Sequence, residues 1–201
     1  MLSRGETEGV FQLESSGMKQ VLVGLQPQNL EDVIALISLY RPGPMDSIPT
    51  YLRNRHEPDK ISYKTPQLAH ILDVTNGCIV YQEQVMQIFR ELAGFSFGQA
   101  DNVRRAMSKK KHAVMEAERE HFVHGCTDPG NECPGCVANG ISEKVANEIY
   151  DEMSSFASYA FNKSHAACYA YVAFQTAYLK CHYPSEFMAA LLTSVLDNTG
   201  K

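Results

Sequence analysis

The sequence predicts a mostly α-helical fold with irregular loops and at most a few short strands. Three observations carry this. Apolar residues recur three and four positions apart in successive segments. Serine, asparagine, glycine and proline fall where such segments start and stop. Only Cys78-Ile79-Val80-Tyr81 reads as a short strand.

Taken in order, Ser15 or Ser16 caps a first helix with Met18, Val21, Leu22 and Leu25 on its apolar face, and Pro27 ends it. Asn29, with Asp32 three residues on, opens a second helix carrying Leu30, Val33, Ile34 and Ile37. Pro42-Gly43-Pro44 stops it. Residues 46–76 are the least regular stretch, where Pro49, Pro58 and Pro66 suggest loops with short helical turns. Gln82–Leu92 reads as a helix with Val85, Met86, Phe89 and Leu92 inward and Gly94 as its cap. Helices near 98–107 and 111–123 follow, then a Cys/Gly/Pro-rich loop at 124–140. Ser142 caps a helix striped by Ile141, Val145, Ile149 and Met153. A long apolar helix runs from about Ser164 to His182 and stops before Pro184. The last helix, Ser185–Leu196, ends near Asn198 and Gly200.

A chain of 201 residues, 44% of them hydrophobic, suits one domain or two small ones with a sizeable core. No run of about 20 apolar residues exists, so no membrane span is expected. The opening MLSRGETEG has no apolar stretch and is not a secretory signal. Six cysteines without such a signal are expected as free thiols in a reducing cytoplasm, with Cys168 and Cys181 in the core. The net charge of −5 argues weakly against nucleic-acid binding by the whole surface. Its distribution says more: residues 104–111 (RRAMSKKK) carry five cations, and EAERE follows at 116–120. That pattern suits a basic patch for nucleic acid and equally a solvated face.

Two constellations bear on chemistry. Lys163, Ser164 and His165 stand at the head of the long helix. Free N–H groups and the macrodipole favour an anion there, and a lysine and a histidine make phosphate the natural ligand. The alternative has Ser164 as a plain N-cap and His165 as a packed core residue. In the second, Cys126, Cys133 and Cys136 are spaced Cys-x6-Cys-x2-Cys, with His121 and His124 just upstream. The count meets a tetrahedral zinc site. Gly125, Pro129, Gly130, Pro134 and Gly135 also make an adequate loop without metal, and the expectation is that no metal is bound.

Five segments in fixed order carry a resemblance: GVFQLESSGMK at 9–19, LYRPGPMDS at 39–47, IVYQEQVMQI at 79–88, AGFSFGQADNVRRAMSKKK at 93–111, and FNKSHAACYAYVAFQTAYLK at 161–180. Together they are similar to the fingers region of the bacterial C-family replicative DNA polymerases, the DNA polymerase III alpha subunits. The resemblance implies one fingers domain over 1–201, with the irregular 46–76 and the Cys-rich 124–140 inside it. It implies that a palm domain, whose carboxylates hold two catalytic Mg2+ ions, lies upstream, and that clamp-binding and C-terminal modules lie downstream. It implies that incoming deoxynucleoside triphosphate is met by Arg104, Arg105, Lys163, Ser164, His165 and Arg41. Arginine suits this because its planar fork binds phosphate oxygens bidentately. Adjacent on a helix, Arg104 and Arg105 lie about 100° apart, so one can face triphosphate while the other turns to DNA or a carboxylate. Lys109, Lys110 and Lys111 fall to primer-template DNA phosphates; where the family has a glycine before them, this chain has Ser108. Gln82, Glu83 and Gln84 are read as holding the Tyr40–Pro44 loop, and Tyr159, Phe161 and Asn162 as shaping the turn before Lys163. Further expected partners are the replicase subunits, including the sliding clamp.

Two other readings use the same residues: a small zinc-containing nucleic-acid-binding module, and a helical protein-interaction domain with an incidental basic patch. Five ordered segments favour the polymerase reading. It carries a direct expectation. Two-metal chemistry needs the palm carboxylates, so the isolated 201-residue chain should extend no primer with magnesium and all four nucleotides. Robust extension would overturn the placement.

Overall fold

The computed structural model describes residues 1–42, 44–109, 112–157 and 161–196. Gly43, Lys110, Lys111, Tyr159, Asn198 and Gly200 of the sequence reading lie outside these. The described chain is helical, with eleven α-helices, and its only β pairings are two isolated bridges, Tyr81 with Phe161 and Cys126 with Cys133. It divides into two compact units: Met1–Tyr40 with Ser164–Lys201, and Arg41–Lys163.

In the first unit, α1 (Ser16–Leu25) begins where the Ser15 side chain accepts from the Met18 N–H, and ends on Gln26 in the left-handed region, one residue before Pro27. Met18, Leu22 and Leu25 are buried. In α2 (Leu30–Leu39), Asn29 accepts from the Asp32 N–H at 2.9 Å. Asp32 in turn reaches back to the Gln28 N–H at 2.8 Å, and every residue from Asp32 to Leu39 is buried. This unit also holds α10 (Lys163–His182) from Ser164 onward, and α11 (Pro184–Ser194). Helix α10 buries a stripe of alanines, Ala166, Ala170, Ala173 and Ala177. Small residues let backbone approach closely. Phe11 therefore lies across the helix, its N–H on Thr176 Oγ1 and its ring 5.5 Å from that of Tyr169. Lys180 Nζ donates to the carbonyls of Glu6 and Glu8.

That stripe corrects the reading of the helical cysteines. Cys168 and Cys181 are exposed. Cys168 is two positions from Ala166, about 200° round the helix, and Cys181 sits in the last turn beyond the stripe. Tyr171, Phe174, Tyr178 and Leu179 are exposed too, so an apolar helix here does not mean a buried one.

The first α-helix of the second unit, α3 (Ile48–His56), lies in the stretch whose prolines suggest loops with short helical turns; Pro49 sits in its first turn, where proline starts a helix rather than breaking one. Its remaining helices are α4 (Ala69–Leu72), α5 (Gln82–Ala93), α6 (Phe97–Ser108), α7 (His112–His124), α8 (Gly135–Ala138) and α9 (Glu143–Ala157). They enclose one core, centred on Phe89. The Phe122 ring meets it edge-on at 5.0 Å and the Tyr150 ring at 5.9 Å. Tyr150 places its hydroxyl on the Met115 carbonyl at 2.6 Å, so its polar end is satisfied inside the core. Helix α5 stops at Gly94, φ 74°, and a Cβ there would stand 2.5 Å from Pro134.

Cys78–Tyr81 is extended but makes no strand. Its ladder partner is a side chain. Gln84, 5% exposed, accepts from the N–H groups of Val80 (2.9 Å) and Tyr81 (3.0 Å), and donates to Ile71 O (3.1 Å) and Thr75 Oγ1 (2.7 Å). All four hydrogen-bonding positions of the carboxamide are filled. Gln84→Ala leaves two buried N–H groups unsatisfied, which costs roughly 2–4 kcal/mol. Urea unfolding of the wild-type and variant chains should show that loss as a lower midpoint at unchanged slope.

Candidate nucleotide site

The start of α5 organises the cations of the second unit. Tyr81 bridges Phe161 in parallel, and the Gln82 N–H donates to the Phe161 carbonyl at 3.0 Å. The Phe161 ring carries the Arg41 guanidinium 3.6 Å from its centroid, a close cation–π contact. Gln82 Oε1 accepts from Arg104 Nη1 at 3.0 Å. Glu83, one residue on, takes the Lys163 N–H on both oxygens at 3.2 Å and the Asn162 side-chain amide at 2.8 Å. Lys163 Nζ lies 5.3 Å from the centre of the Tyr81 ring. Of the sequence-predicted cations, Arg104 and Lys163 are thus tied to Gln82 and Glu83, and Arg41 to Phe161, the residue that bridges Tyr81.

The two arginines of α6 meet one carboxylate, the partner that the sequence allowed for one of them. Arg104 binds Asp101 Oδ1 through Nε (3.0 Å) and Nη2 (2.8 Å), and Arg105 Nη2 binds the other oxygen at 2.7 Å. Asp101 stands three residues before one arginine and four before the other, within reach of both on the helix surface. The Arg104 hydrogen bond is the largest cause holding the Asp101 carboxyl below its usual range. The two differ in access: the Arg104 side chain is 19% exposed and that of Arg105 65%. Arg105 is the one that presents itself to solvent. Lys109, at the end of α6, is exposed, and its N–H closes on the Arg105 carbonyl.

Helix α10 begins at Lys163, and the division between units falls just after it. The anion at its first N–H is the Glu83 carboxylate, so the amide of Lys163 is not open to a phosphate. Ser164 and His165 are exposed. His165 is no core residue; its ring stacks on Tyr169 at 4.4 Å. Gln82, Glu83 and Gln84 do hold neighbours by hydrogen bonds, and those found are to Arg104 and the 161–163 segment and to the 71–81 turn. Glu83 is the residue that sequence reasoning undervalued. Its signal was an acidic side chain in the first turn of a helix.

The cysteine loop is built on backbone contacts. Cys126 and Cys133 exchange both N–H···O bonds at 2.9 Å. Gly125 and Gly135, both at positive φ, cross so closely that a Cβ on Gly135 would stand 2.3 Å from Gly125 N. The Cys133 thiol faces the His121 carbonyl, and His124 lies 3.9 Å from Glu120 and Glu143. Among the described residues no group of three or more His, Cys, Asp or Glu side chains is arranged to hold a metal. Burial pushes the Cys133 thiol up and that of Cys136 to about 12; it pushes Cys78 to about 11.

A helical scaffold gathers several cations near one helix start, with an exposed arginine beside them, a charge arrangement suited to an anion. The family model of the bacterial DNA polymerase III alpha subunit finger domain matches residues 1–130. The DNA polymerase III subunit alpha of Thermus aquaticus is 52% identical over 198 residues, covering 96% of this chain and 15% of that protein. Those of Staphylococcus epidermidis and Staphylococcus aureus are each 46% identical over 201 residues, covering all of this chain and 18% of theirs. The chain belongs to the bacterial DNA polymerase III alpha subunit family, in its finger domain. It spans less than a fifth of the length of these curated relatives. No described helix is long and apolar enough to cross a membrane.

Thiol chemistry tests the loop. A raised pKa leaves less thiolate at a given pH, and the thiolate is what reacts. At pH 8, iodoacetamide should label Cys168 and Cys181 first and Cys136 and Cys78 last. A chelator should leave that order unchanged, and elemental analysis should find no stoichiometric zinc. Release of a zinc ion with rapid labelling of Cys126, Cys133 and Cys136 would restore the metal reading.

Proposed function

We propose that this chain is the part of a replicative DNA polymerase that receives the incoming deoxynucleoside triphosphate beside primer-template DNA. One observation supports this most: Arg104 and Lys163 are fastened to Gln82 and Glu83, and Arg41 lies on the ring of Phe161, which bridges Tyr81, so cations from three distant segments gather at one helix start. Convergent cations on fixed supports are what a phosphate-transfer site needs, since positioning and charge stabilisation supply most of its catalysis. Arg105, the most accessible of the α6 pair, is the arginine for the triphosphate. It can exchange Asp101 for phosphate oxygens without moving the helix. Arg104 stays on Asp101 and Gln82 and keeps the pair in register. Ser164 and His165 follow Lys163 in the chain and enter this reading through the motif they share with the family. Lys109, with Lys110 and Lys111, offers salt-sensitive contacts to DNA phosphates.

The residues assigned here are cations and hydroxyl or imidazole groups. They are not a donor set for Mg2+, which prefers carboxylate oxygens. The divalent ions of the polymerase reaction would be held elsewhere in the full-length subunit, as would the contacts to a sliding clamp and other replicase components.

In the full-length subunit, Arg105→Ala and His165→Ala should each lower nucleotide kcat/KM about tenfold to a hundredfold, the worth of one charge-assisted phosphate contact. Steady-state kinetics on primed template decides it. Unchanged nucleotide efficiency in both variants would sink the assignment.

A further inference from the structure

Glu83 is a carboxylate set among cations that this reading gives to a triphosphate. Glu83 is exposed, and an unpaired anion there would repel the ligand. Its contacts explain how it is accommodated. Glu83 occupies the first turn of α5, and its two oxygens also close on the first N–H of α10 and on the Asn162 amide. The carboxylate thus holds both the side chain of Asn162 and the backbone of Lys163. The bond spans 80 residues of sequence. It also fixes the backbone of Lys163, whose ammonium stands over the ring of Tyr81, two residues before Glu83.

We propose that Glu83 is a positioning residue for the nucleotide site: by capping α10 at Lys163 it holds that lysine where it can meet a phosphate. The inference rests on the nucleotide reading given above. A lysine is a flexible four-carbon stem, and anchoring its backbone and lodging its head on an aromatic face removes much of the freedom it would otherwise lose on binding. Without Glu83 the first turn of α10 frays, and Lys163 meets the ligand from many conformations.

The test uses the full-length polymerase subunit on primed template, with KM for the incoming nucleotide and kcat read separately. Glu83→Ala should raise that KM roughly tenfold, within the hundredfold that a displacement of about 1 Å can cost. It should leave kcat within about twofold, because the loss falls on binding. Glu83→Gln keeps one oxygen for the Lys163 N–H and should recover to within about threefold of wild type. In a Lys163→Ala background, Glu83→Ala should add less than about twofold, since residues acting through one another are not additive. A merely structural role predicts the same further loss in both backgrounds, and that result would overturn the proposal. Circular dichroism melts accompany each variant; should Glu83→Ala not fold, Glu83→Asp serves in its place. It keeps the charge, draws the carboxylate back, and should still raise KM; a wild-type KM would count against the proposal. If Lys163→Ala raises KM and the Glu83 variants do not, the positioning role falls alone. If Lys163→Ala itself leaves KM unchanged, the nucleotide assignment falls and the positioning role with it.

Discussion

The four hydrogen bonds of the Gln84 carboxamide are the constraint on which the second unit depends. They turn the Cys78–Tyr81 segment sharply into α5 and pin the 71–75 turn against it. The direction of the α5 N-terminus follows from them. Tyr81, Gln82 and Glu83 stand on that N-terminus, so the placing of Arg41, Arg104 and Lys163 descends from one buried amide. Such a group is costly if any partner is lost and rigid if all are kept. Its other end is anchored by α5 itself, whose Val85, Ile88, Phe89 and Leu92 reach into the aromatic core. Polar precision at one end of the helix thus rests on apolar packing along its length.

The cations are supported in different ways. Arg104 is part of the scaffold, largely enclosed and doubly bonded to Asp101. Arg105 shares that carboxylate from the solvent side. Arg41 lies on a ring, where attraction does not depend on a matching hydrogen-bond geometry. Enclosed and accessible charges are therefore set around one helix start.

Much of the fold was legible because it is written locally. Ser15, Asn29 and Ser142 cap helices where their hydroxyl or amide and the following apolar spacing said they would. The misses share a cause, which is tertiary context. Pro49 reads as a breaker until its place in a first turn is known. Cys78–Tyr81 reads as a strand because its pattern cannot reveal that a glutamine replaces the partner strand. Cys168 reads as buried because an apolar helix does not announce which stripe packs, and alanine, the least conspicuous apolar residue, was the answer. At the site, the cations could be named from motif and charge. That Glu83 meets the first N–H of the helix to which the sequence assigned a phosphate could not, since the pairing joins residues far apart in sequence.

The crossing of Gly125 and Gly135 has a further consequence, for how the chain can be altered. The two backbones touch where neither has a side chain, and the Cys126–Cys133 bridge closes just inside them. The enclosed tip, with Asp128 O bonded to Asn131 N and open space beside Gly130, has its ends already joined. A graft at 128–131 would enter a loop whose closure entropy is already met by the rest of the fold. The tip is therefore a natural port for a probe or tag, while its two glycine hinges admit nothing larger than hydrogen.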